Sequence, residues 1–227
     1  MEYLWVLTLV GGLGGLITLI KDVFGLRSKI AKNAPVRKVI WYLVNKKINV
    51  RITAVRKYEK IYEEKEVEEK LGAAFELIKK RVTGQYGNFI SPPIIGKNFF
   101  QFVTENMSAP VKFEILPDVE GDEISGTVVR GEVLGNLTFV YREKNKYQMF
   151  VNLMENTFDI VESVFDFRPY FVNHSIKATT AETFEEDWSI KKEVRLPEGI
   201  IRIGSKVVLA DTRKPVYDLI EYILKIG

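Results

Sequence analysis

A chain of 227 residues with 46% apolar and 28% charged side chains can bury one good-sized core or two small ones, and it does not read as extended disorder. It has no cysteine and a single histidine, His174, which excludes disulfides, thiolate zinc sites, iron–sulfur clusters, thiol nucleophiles and multi-imidazole metal sites; only carboxylate-rich sites for hard cations remain. The formal net charge of +3 conceals a basic N-terminal flank and a body in which, from Glu59 onward, acids outnumber bases.

Residues 3–20 carry no charge, and as a helix they would extend about 27 Å, just enough to cross the hydrocarbon layer. Tyr3 and Trp5 at one end and Lys21 at the other stand where interfacial aromatics and a snorkelling cation belong. A cleavable signal would need positive charge ahead of the apolar run, where only Glu2 is charged, so the expectation is an uncleaved single-pass transmembrane anchor. Gly11 and Gly15 have the spacing that lets two such helices approach closely, which suggests a homodimer through that face. The nearby glycines lack both the Gly-Lys-Ser/Thr of a phosphate loop and the third glycine of a dinucleotide fingerprint.

Lys21, Arg27, Lys29, Lys32, Arg37, Lys38, Lys46, Lys47, Arg51, Arg56 and Lys57 follow, against the one acid Asp22. That bias places the N-terminus outside and the body in the cytoplasm. Three glycosylation triplets, at Asn106, Asn136 and Asn173, argue the other way but arise readily by chance. Asn33 as cap, Pro35 and the series Val36, Val39, Ile40, Leu43, Val44 predict a basic amphipathic helix over 34–46, suited to anionic lipid or to packing on the body. No nucleic-acid reader module accompanies it, so nucleic acid is not expected as the partner.

In the body, Ile48, Val50, Ile52 and Ala54 alternate with polar residues as a half-buried strand does. A helix over about 65–82 follows, with Val67, Leu71, Ala74, Phe75, Ile78 and Val82 on one stripe, acids in its first turns and Gly84 at its end. Ser91-Pro92-Pro93 predicts a rigid loop, and Phe99 to Val103 fits either a strand or a helix. Strands are expected over 111–116, 124–129 and 137–141 as a meander, then a helix carrying Phe150, Met154, Phe158, Val161 and Phe165. Strands near 175–183 and 200–209 and a final helix over 215–226 complete the chain. The expected fold class is α+β: an N-terminal transmembrane helix (1–20), a basic juxtamembrane linker and helix (21–47), and a cytosolic mostly antiparallel sheet with packed helices (48–227).

No catalytic constellation stands out. The acids form three clusters: Glu63, Glu64, Glu66, Glu68 and Glu69; then Asp118, Glu120, Asp122 and Glu123; then Glu182, Glu185, Glu186 and Asp187. The second alternates acids around Gly121 as cation loops do, but lacks EF-hand spacing, and a solvated turn explains it as well. His174 has no Gly-x-Ser-x-Gly elbow to serve and reads as a packed or capping residue. Arg213 and Lys214 precede the last helix as exposed turn residues, and the aromatic-rich stretch 165–171 reads first as core. The expectation is a membrane-anchored binding or scaffolding module with no identified cofactor. The alternatives are a tethered carboxylate-dependent enzyme, whose second and third acidic clusters would meet in one cleft, and a soluble nucleic-acid-contacting protein with a buried N-terminal helix. The lack of cysteine and the scarcity of His and Met also resemble heat-adapted proteins.

Overall fold

The computed structural model describes residues 48–106, 109–137, 144–180, 189–204, 206–219 and 222. The chain divides into two units, of which Met1–Lys46 lies outside those residues; the fold is that of the second unit, Lys47–Gly227. The alternation read from the sequence folds as β1 (Ile48–Tyr58), in which every second residue is buried. After it comes α1 (Glu64–Tyr86), which buries its Val67–Leu71–Phe75–Ile78–Val82 stripe and places Glu64 and Glu66 in its first turn, where the helix dipole favours acids. Gly84 lies within this helix, and the chain leaves it at Gly87, whose φ of +82° suits glycine.

Strands β2 (Ile94–Ile95), β3 (Phe99–Val103), β4 (Pro110–Glu120) and β5 (Glu123–Leu137) precede α2 (Lys144–Phe165); β6 (Phe171–Thr179), β7 (Ile190–Leu196), β8 (Gly199–Gly204) and β9 (Val207–Thr212) follow it. All nine form one sheet in the order β2-β3-β4-β5-β1-β6-β9-β8-β7, every pairing antiparallel. Strand β1 occupies the centre, with Ile52 opposite Val133 of β5 on one side and Ile176 of β6 on the other. Helix α2 packs on β5 and β1, and α1 packs on α2 and β3. The core between helices and sheet includes Phe100, Phe113, Phe150, Phe158 and Phe165, all fully buried, with Phe113 edge-on to Phe158 at 5.0 Å.

The expected fold class needs correction. The described residues form a nine-stranded antiparallel sheet with two helices, and no helix among them is long and apolar enough to cross a membrane, since charged residues interrupt both α1 and α2. The expectations for residues 1–47, namely the anchor with Tyr3, Trp5, Gly11, Gly15 and Lys21 and the basic set Arg27, Lys29, Lys32, Arg37, Lys38, Lys46 and Lys47, lie outside the described residues. Within the body, the expected break at Gly135-Asn136 does not exist: β5 runs unbroken from Glu123 to Leu137. Its glycines serve packing. A Cβ on Gly131 would strike Met154 and Phe113, and one on Gly135 would strike Phe150, so both let α2 approach the sheet closely. The single strand expected over 200–209 is two, β8 and β9, and the largely exposed strand β7, with the sequence IKKEVRL, has no counterpart among the expected elements. Of the helix expected over 215–226, residues 217–219 form a turn and Tyr222 is helical, while 220–221 and 223–226 lie outside the described residues.

Candidate binding site

The hairpin joining β4 and β5 holds the second acidic cluster. Asp118 is buried and accepts hydrogen bonds from Lys57 Nζ at 2.9 Å and from the Tyr170 hydroxyl at 3.0 Å. The Lys57 bond, joined by that of Tyr170, holds its carboxyl below the ordinary carboxylate value. Glu120, Asp122 and Glu123 are solvent-exposed at the hairpin tip, the arrangement of a solvated turn, and among the described residues no cluster of acids and imidazole forms a metal site. Glu182, Glu185, Glu186 and Asp187 lie outside the described residues. Arg213 and Lys214 are exposed. The stretch 165–171 divides: Phe165 and Phe167 are buried and stacked at 5.1 Å, with Phe167 also stacked on Tyr58 at 4.1 Å, whereas Tyr170 and Phe171 are exposed.

Sequence reasoning missed a buried ionic cluster. Arg56, on the buried parity of β1, donates to Glu162 Oε1 and Glu155 Oε2 of α2, both at 2.7 Å, while its guanidinium lies 4.3 Å from the Phe158 ring centre. Tyr58 donates to the same Glu162 oxygen at 2.7 Å, and His174 Nε2 of β6 lies 2.9 Å from Glu155 Oε1. Burial opposes the Arg56 charge, but the Glu162 hydrogen bond and the two carboxylates outweigh it, so its pKa rises. Burial likewise works to raise Glu155, yet the His174 bond and the Arg56 charge overcome it and hold the carboxyl below its ordinary value. Burial and the bond to Glu162 push the Tyr58 phenol well upward. The cluster thus ties α2 to β1 and β6, and His174 proves to be a packed residue, 2% exposed. One sequence signal could have found it. Continuing the β1 alternation past Ala54 puts Arg56 on the buried face, and Glu155, Phe158 and Glu162 share one face of α2.

A groove of about 390 Å³ opens between the start of α1, the later part of β4 and the start of β5. Chain geometry builds it from local constraints. After Tyr58 the backbone crosses the start of β5 so closely that a Cβ on Gly126 would strike the Tyr58 carbonyl, and the Thr127 hydroxyl donates to the Lys60 carbonyl at 2.6 Å. Tyr62 then turns inward, its hydroxyl donating to the Phe165 carbonyl. On the far wall, Asn98 exchanges two hydrogen bonds with Ile115, its carbonyl accepting from the Ile115 amide at 2.8 Å and its side-chain amide donating to the Ile115 carbonyl at 3.2 Å. Ile61, Leu116 and Ile124 stand open to solvent along the lining, and Lys97 pairs with Glu64 at 3.0 Å on the rim. A groove of this size, largely aliphatic with a few polar groups at its edge, suits a small apolar ligand or one or two side chains of a partner. No family model matches the chain, and no curated protein matches it.

Proposed function

We propose that the chain is a membrane-attached binding module, and that its body engages a ligand or partner through the groove between α1 and the β4–β5 hairpin. The observation that carries this reading is the concentration of solvent-exposed aliphatic side chains, Ile61 at 55% and Ile124 at 52%, in one concave site. Membrane attachment is supported by the uncharged stretch 3–20 and the cations behind it, with the body on the cytoplasmic side. The carboxylate-dependent enzyme is the weaker reading, because Asp118 is committed to Lys57 and Tyr170. The excess of acids from Glu59 onward disfavours nucleic acid.

The test is isoleucine methyl NMR of the full chain with hexanol as a neutral apolar probe. Saturable shifts of the Ile61 and Ile124 methyls, lost in Leu116→Glu, are expected; uniform shifts unaffected by that change would refute a formed site. Attachment is checked by fractionation, where pelleting that resists carbonate and high salt is expected and recovery in the soluble fraction without detergent rejects it. The composition also supports a heat-adapted chain, for which a melting temperature above the mesophilic range is the expected result.

A further inference from the structure

Resting on that reading of the groove, we propose that its occupant is a cationic segment of a partner protein, anchored by one or two aliphatic side chains inserted between Ile61 and Ile124. The argument is charge complementarity around an apolar floor. Acidic chain flanks the groove on two sides. Between residues 59 and 70 the sequence has six glutamates against three lysines, and Glu63, Glu64, Glu66, Glu68 and Glu69 are all exposed in the turns that form one wall. Directly beside Ile124 on the opposite side, the hairpin tip presents Glu120, Asp122 and Glu123, also exposed. Among the described residues Lys97 is the one cation lining the groove, and it is matched by Glu64.

An acidic rim repels anionic headgroups, fatty carboxylates and nucleic acid while drawing lysine and arginine toward the site, so it selects the sign of the partner before contact is made. The aliphatic floor then supplies the short-range attraction, which Lys or Arg alone does not exploit. A peptide that places an aliphatic residue between cations satisfies both parts.

The experiment uses the full chain in phosphatidylcholine nanodiscs, with empty discs subtracted, and a short labelled peptide of alternating lysine and leucine. Saturable binding is expected. It should weaken about tenfold in the Ile61→Ser, Ile124→Ser double variant, and by a similar factor in Glu64→Lys, Glu123→Lys at low salt, the latter loss shrinking as salt is added. All four side chains are solvent-exposed and lie outside the core, and a urea midpoint equal to that of the parent verifies that the variants remain folded. A peptide with glutamate in place of lysine should not bind. Binding that ignores these substitutions, or an acidic peptide that binds as well, overturns the proposal. So does a peptide signal that fades as chain concentration rises while the particle grows, since the groove would then be filled by a second copy. If hexanol still shifts Ile61 and Ile124 but the lysine–leucine peptide does not bind, the cationic partner is wrong and the binding site stands; if neither binds, both fall.

Discussion

Arg56 sits where the pattern of β1 calls for an aliphatic side chain, and it is tolerated there because α2 brings two carboxylates and an aromatic face to it. Removing the cation leaves both acids half-buried with only Tyr58 and His174 to partner them. Arg56→Met is therefore expected to destabilise the fold by about 3–5 kcal/mol, whereas adding Glu155→Gln and Glu162→Gln should recover part of the loss, as urea denaturation of the three proteins would measure. The same cluster has a pH signature. Because the folded state holds Glu155 below its ordinary carboxyl value, its contribution is fully present above that value and is lost as pH falls through the lowered folded value. The urea midpoint should thus drop on the acid side of about pH 4.5, and His174→Gln, which deletes the first of the partners lowering Glu155, should flatten that drop. His174 was legible as a packed residue; its partner was not, since nothing in a one-dimensional pattern says which helix face will cross which strand.

At the scale of elements, α1 and α2 were legible because long 3.6-residue periodicity leaves little ambiguity. The failures share a cause: a turn signal and a packing signal can be the same residue. Gly135-Asn136 looks like a hairpin turn, yet Gly135 is glycine because Phe150 lies against the strand there. Gly135→Val should accordingly cost about 1–3 kcal/mol through overpacking, although valine is the better strand former; a thermal melt beside an exposed control such as Asn136→Val would separate packing from propensity. Strand β7 escaped detection for the opposite reason. As an edge strand its residues are largely solvated, so no apolar alternation marks it, and its lysines and arginine discourage pairing with another sheet. The groove was equally hidden, because Ile61, Leu116 and Ile124 come from three separate segments and read singly as ordinary surface aliphatics.

Across the whole molecule, the sheet is organised about β1. One flank, β5-β4-β3-β2, is a run of antiparallel neighbours consecutive in sequence, and the other, β6-β9-β8-β7, contains a second such run; β1 alone joins them. Hydrogen exchange should reflect this, with amides of β1 and its faces toward β5 and β6 the slowest and those of β2 and β7 the fastest; equal protection across the sheet would contradict it. The central position of the first strand also has a consequence for how the chain is made. Ile48 must wait for Leu137, and Asn49 for Thr179, before either side of β1 is covered. A growing chain therefore carries β1 unpaired until β5 has been made and half-paired until β6 follows, and any chain cut short before β6 would leave the middle of the intended sheet as a bare edge. For this topology, the exposure of an unpaired central strand begins with β1 and ends only when β6 has been made.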